Sequence, residues 1–202
     1  MRQNILIHKL PEKVQIGDEI MEINSSYRAA ILLEQIMNDK ELSDIDKISE
    51  ALFLYYGPTG NDGDITEKIE KLLWFYSCGS SEDAESKKET SGRAQKRIYD
   101  FVHDADYIYA AFLAQYRIDL QAEHDMHWWK FMALFRALDA DNEICRIMQI
   151  RAMEVTSKMS QEQRDHYNRL KRIYKLPDNR TTEEKVQDFS SVFLGTVMKN
   201  GR

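Results

Sequence analysis

Proline, glycine and cysteine are all scarce in this chain of 202 residues. Three prolines and eight glycines leave long stretches without a residue that breaks a helix. The two cysteines, Cys78 and Cys145, stand far apart and form no CxxC pair, so thiols kept reduced in a reducing compartment are expected. No apolar run approaches the roughly 20 residues that span a bilayer, which argues against a membrane protein. The N-terminus, MRQNILIHKLPEKV, lacks the continuous apolar core of a signal peptide, so a cytosolic location is expected. A net charge of −6 gives no electrostatic reason for general nucleic-acid binding. What remains, 43% hydrophobic and 31% charged residues, suits a soluble globular protein of one domain, or one domain with a small appendage.

The densest apolar block runs from His124 to Val155. Trp128, Phe131, Phe135 and Leu138 fall at helical spacing there, and Trp129 and Met132 widen the stripe. Asp139 or Asp141 is expected to accept hydrogen bonds at the start of a second helix carrying Ile144, Ile147, Met148 and Arg151. Two short helices joined by Leu-Asp-Ala-Asp read as an antiparallel helical hairpin.

Ahead of this block, residues 5–23 read as extended, with Ile5, Leu6 and Ile7 first. Val14, Ile16, Ile20 and Ile23 then flank Gly17-Asp18, a pair suited to a type II′ hairpin turn. Three helices follow. Ser25 or Ser26 opens the first. Ser43 with Asp46 opens the second, whose stripe is Ile45, Ile48, Ala51, Leu52 and Tyr55. Asp64 with Glu67 opens the third, with Ile65, Ile69, Leu72, Leu73 and Tyr76. Between the second and third, Gly57 to Asp64 (GPTGNDGD) lacks the Lys-Ser/Thr of a P-loop and the ligand spacing of an EF-hand, and reads as an inter-helix turn. Residues 78–96 hold no large apolar residue after Cys78 and read as a mobile linker. The expected fold is therefore mainly α, a helical bundle with a small N-terminal β-hairpin and a mobile mid-chain linker. Its parts are an N-terminal hairpin plus helical region at 1–77, the linker at 78–96, and a C-terminal helical domain at 97–202.

In the last region, Ile98, Phe101, Val102, Ala105, Ile108, Tyr109, Phe112, Leu113 and Tyr116 predict one long helix of five turns ending near Leu120. Ser160 with Gln163 opens a polar helix that Pro177 stops. Thr181 with Glu184 opens a final amphipathic helix with a narrow stripe of Val186, Phe189, Phe193 and Val197.

No catalytic set assembles. His124 and His127 lie beside Glu123 and Asp125 with no HExxH or second ligand pair, so a solvated helix start is expected over a metal site. Asp100, His103, Asp104 and Asp106 have no nucleophile or oxyanion donor beside them and read as a solvated polar face. No enzyme, cofactor or metal is expected. Trp128 and Trp129 read first as buried core. As aromatic anchors they are also candidates for a protein contact, together with Phe189 and Phe193.

From His127 onward, HWWKFMALFRAL, an acidic turn and ICRIMQIRA resemble the phage and prophage family known as the gene-product-fifteen family. The preceding YIYAAFLAQYRIDLQ and the N-terminal LPEKVQIGDE are similar to it as well. The resemblance covers most of the chain. It is most specific at His127, Trp128, Trp129, Phe131, Phe135, Met148, Arg151 and Ala152. It implies a non-enzymatic tail assembly chaperone of tailed phages that binds the tape measure protein, helps recruit the major tail protein, and forms homo-oligomers. Such a protein acts in the host bacterial cytoplasm and is absent from the mature virion. A structural tail or connector component retained in the virion is the alternative. Neither nucleic acid nor membrane is an expected partner.

Overall fold

A computed structural model of the chain describes residues 4–80 and 97–177. Among these the chain is mainly helical, with one small antiparallel sheet. The elements are β1 (Lys13–Ile16), β2 (Glu19–Glu22), α1 (Tyr27–Asn38), α2 (Asp44–Tyr56), α3 (Ile65–Tyr76), α4 (Ala105–Tyr116), α5 (Trp128–Arg136), α6 (Glu143–Ala152) and α7 (Gln161–Ile173).

The described residues form two compact units. One holds residues 4–80 with 125–132, the other 97–124 with 133–177. The first unit starts with the hairpin, in which Val14 pairs with Met21 and Ile16 with Glu19. Gly17 takes a φ of +55° while Asp18 keeps a negative φ, the φ pattern of the II′ turn its sequence suggests. Val14 and Ile16 face inward and are buried. Residues 5–8, expected to be extended, instead turn over the Asn4 carbonyl, which accepts from Ile7 N–H at 3.0 Å and His8 N–H at 2.9 Å.

The three helices begin where their caps place them. Ser26, Ser43 and Asp64 each accept a hydrogen bond from a backbone amide two or three residues on. Between α2 and α3 the chain doubles back tightly at Gly60, where a Cβ would lie 2.4 Å from the Leu52 carbonyl oxygen. Only glycine fits that approach. Tyr27, Ala30, Leu33, Ile48, Leu52, Tyr55, Ile69, Leu72 and Phe75 are buried in this unit. Tyr55 is also 2% exposed with a hydroxyl that finds no hydrogen-bond partner among the described residues.

In the second unit the long helix is shorter than its pattern. It starts at Ala105, because residues 97–104 are held by side chains that compete with helical bonding. The Asp100 carboxylate accepts from Val102 N–H (2.8 Å) and His103 N–H (2.9 Å), and Asp104 accepts from Asp100 N–H (2.9 Å). At its other end Arg117 takes a left-handed φ of 57° and closes the helix before Leu120. Helix α6 starts after Asn142, with neither Asp139 nor Asp141 as its cap, and packs against α4 and α7. The Ser160–Gln163 capping box of α7 forms in full. The helix expected from Thr181 lies outside the described residues.

The second unit is pinned by buried charge. Arg151 grips Asp104 with two parallel bonds of 2.6 and 2.8 Å. It also donates to the carbonyls of Tyr174 (2.6 Å) and Ile98 (3.0 Å), so one guanidinium ties α6 to the start of α4 and the end of α7. Arg97 pairs with Asp100 at 2.6 Å beside it. Asp100 and Asp104, expected on a solvated face, are therefore buried, while His103 and Asp106 are exposed.

Two stability outcomes follow from these buried groups. Asp104→Asn is expected to lower unfolding free energy by about 3 to 5 kcal/mol, because the Arg151 charge stays buried without its counter-charge. Replacing the pair together, Asp104→Leu with Arg151→Met, should recover most of that loss in denaturant titration. Tyr55→Phe removes an unsatisfied buried hydroxyl and is expected to raise stability by about 1 kcal/mol, read from the same denaturant midpoint.

Candidate functional site

Helix α3 ends in a tight reversal. Cys78 sits in the left-handed region (φ 57°) and Gly79 follows at φ 71°. The amide of Gly79 donates to Trp74 O at 2.9 Å and that of Cys78 to Phe75 O at 3.0 Å, the paired bonds of a Schellman motif. Residues 78–80, expected as the start of the linker, are thus the capped end of a helix. The remainder of that segment, 81–96, lies outside the described residues.

Segment 125–132 closes over this helix end. It was expected within the C-terminal region, yet it groups with residues 4–80. The Trp128 indole N–H donates to Tyr76 O at 2.8 Å, and that of Trp129 to Phe75 O at 2.7 Å. Both carbonyls belong to the last turn of α3, where the helix supplies no partner of its own. The Trp128 ring stacks on Tyr76 (5.5 Å between centroids) and Phe131 (5.7 Å), and Phe131 stacks in turn on Tyr27 (4.9 Å). Gly79 is required here, since a Cβ would meet the Trp129 ring at 2.8 Å. Trp128 and Trp129 are 2% and 5% exposed. Of the two readings of this pair, core and contact surface, the structure places them in the core, with ring faces and N–H groups already engaged. Phe189 and Phe193 lie outside the described residues.

His127 is likewise buried, not part of a solvated helix start. Its Nδ1 accepts from Trp129 N–H at 3.0 Å, capping α5, and its Nε2–H donates to Pro11 O at 3.0 Å. Both ring nitrogens are thereby used by the chain, and His124 is exposed. Backbone bonds complete the closure. Tyr27 N–H donates to Met126 O (3.0 Å) and Trp128 N–H to Ser25 O (2.8 Å).

The loop from Gly57 to Asp64 holds its own cation. Lys68, buried, points its ammonium at the carbonyls of Thr59 (2.5 Å), Asp62 (2.8 Å) and Gly60 (3.4 Å). The tyrosine hydroxyl of Tyr56 donates back to Lys68 O at 2.6 Å. The space such a loop offers an external ion or phosphate is filled by a side chain.

The large apolar residues that the first unit leaves exposed are mainly aliphatic. Ile5, Leu6, Ile7, Ile20, Leu32, Ile45 and Phe53 are exposed, Leu6 by 91% and Ile20 by 73%. In the second unit Val102, Tyr107, Leu113 and Ile173 are exposed. The first unit is also the acidic one: residues 4–80 carry 14 acidic and 7 basic side chains, a net of −7. Leu32 and Phe53 fall off the apolar stripes of their own helices, and that misfit was the signal available in the sequence. Ile45 belongs to the α2 stripe and gave none. It is exposed because the first turn of α2 runs beyond the core.

Burial holds the His127 imidazole below its ordinary pKa, against the opposing effects of the Pro11 carbonyl and the Glu12 charge. The unfolded chain then takes up the proton first as pH falls. Stability is full above an ordinary histidine pKa of about 6.5 and declines below it. Denaturant midpoints measured from pH 8 to pH 5 should fall through that window. His127→Asn, which keeps a capping acceptor, should flatten the dependence.

Neither a curated protein nor a solved structure matches this chain. A family described as bacteriophage Gp15 protein matches residues 6–176, a span that takes in the hairpin, the indole-capped end of α3, the Arg151–Asp104 pair and α7, and the chain belongs to that family.

Proposed function

We propose that this member of the bacteriophage Gp15 family is a tail assembly chaperone. It binds the tape measure protein, assists assembly of the major tail protein around it, and performs no catalysis. The observation that carries this reading is the first unit's combination of seven exposed large apolar side chains with a net charge of −7 over residues 4–80. Exposed aliphatic side chains offer an apolar client something to replace its own contacts, at about 25 cal/mol per Å² covered. The surrounding acidic charge keeps the free chaperone and its complexes apart in solution. The candidate contacts at Trp128 and Trp129 are replaced in this reading by Leu32, Ile45 and Phe53 on α1 and α2, with Ile20 on β2. Many copies along an extended client would each bind weakly, and their number supplies the avidity. The place of action is the host bacterial cytoplasm, and the finished virion lacks the protein.

Co-expression with the tape measure protein of the same phage tests this directly. The tape measure protein should become soluble and co-purify, and Phe53→Ser with Ile45→Ser should release it while leaving the fold intact. A tape measure protein that stays insoluble while this chain elutes alone overturns the reading. Stoichiometric retention of the chain in purified particles, measured by quantitative mass spectrometry, favours a structural tail or connector component instead.

A further inference from the structure

Among the described residues, helix α7 is fastened along one side only. Arg151 Nε donates to Tyr174 O at 2.6 Å and Lys171 Nζ to Arg151 O at 3.3 Å, and Tyr167, Leu170 and Tyr174 are half-buried on that side. No residue of α7 is fully buried. On the opposite side Glu162, Asp165, His166, Arg169, Arg172 and Ile173 are all exposed and share one stripe at helical spacing, with Ile173 64% exposed. The stripe is ordered, with both acids in its first half and both arginines in its second.

We propose that this stripe is the contact between two copies of the chain, paired antiparallel through α7 about a two-fold axis that crosses the stripe at the height of residue 167 along the helix. Such an axis places Asp165 opposite Arg169 of the second copy and Glu162 opposite its Arg172. Both pairings are centred on the same residue, so one axis forms all four ion pairs at once. A self-complementary patch of this kind is what an isologous dimer requires. A wholly acidic partner, nucleic acid included, would satisfy Arg169 and Arg172 but be repelled by Glu162 and Asp165. Asp165 Oδ1 already accepts from the Gln161 amide at 2.9 Å, which leaves Oδ2 for the guanidinium. Acids first and bases last also suit the helix dipole. The separation of those two explanations lies in whether the charges act across molecules. The contact is small and largely ionic, so the dimer is weak and salt-sensitive. It stands whether or not the chaperone reading does.

The test is sedimentation equilibrium of the full chain at about 100 µM, at low ionic strength and in about 0.5 M salt, where charge is screened beyond a few ångströms. A chain of 23.8 kDa should sediment as a dimer in the first condition and shift toward monomer in the second. Two variants follow, Arg169→Glu with Arg172→Glu, and Glu162→Arg with Asp165→Arg. Each alone should be monomeric with an unchanged circular dichroism spectrum. Their equimolar mixture should dimerise again, because one chain then carries four acids and the other four bases, and every pair re-forms. A purely structural role for these charges is not rescued by mixing. A wild-type chain that is monomeric at low salt, a dimer unaffected by salt, variants that remain dimeric, or a mixture that stays monomeric would each overturn the proposal.

Discussion

The first unit depends on two indole N–H groups and the two carbonyls they meet. Helix α3 ends at Tyr76 and leaves its last carbonyls without helical partners. Buried bare, each would cost about 1 to 3 kcal/mol. The Schellman turn at Cys78 and Gly79 satisfies those of Trp74 and Phe75, and Trp129 adds a second donor to Phe75 while Trp128 takes Tyr76. The same two rings bring large apolar surfaces that are almost wholly buried. Segment 125–132 is therefore attached by polar pairing and by apolar burial at the same atoms. Neither alone suffices: phenylalanines would bury area but remove the indole donor to Tyr76 O and the second donor to Phe75 O, which would keep its turn bond from Cys78 N–H, and smaller donors would leave a void.

That attachment explains the strict demands nearby. Gly79 has to be glycine twice over, for its φ and for the ring above it. His127 has to be neutral, with the proton on Nε2, because a protonated Nδ1 would face the amide it now accepts from. The second unit solves a similar problem by charge. Arg151 reaches two carbonyls and one carboxylate with a single planar group, which lysine does not match in geometry.

Where the sequence was legible, the signal was local. Ser43 with Asp46, Asp64 with Glu67 and Ser160 with Gln163 place helix starts through bonds that span three residues, and Gly17-Asp18 fixes a turn within four. Where it misled, the deciding partner was distant. Residues 97–104 continue a helical pattern, but Asp104 is held by Arg151, 47 residues on, and that bond is invisible to periodicity. Asp100 and Asp104 read as solvated because isolated carboxylates usually are. Trp128 and Trp129 were rightly suspected of being core, but the carbonyls their indoles meet, Tyr76 O and Phe75 O, lie 52 and 54 residues earlier. Of the exposed apolar residues, Leu32 and Phe53 were legible by default, as residues off the stripes of their helices, while Ile45 sat within one and gave no signal.

The contrast between what is satisfied and what is exposed bears on function. His127, Lys68, Asp104 and Arg151 are the side chains a search for chemistry would select, and each has its donors and acceptors taken up by the fold. A catalytic group needs at least one polar atom left for a substrate, and a metal ligand needs a free lone pair. In these groups the polar atoms are engaged, while the apolar residues of the first unit stand uncovered in an acidic surround. In the proposed reading the exposed residues, not the satisfied buried groups, make the contact, and the charge around them selects its partner.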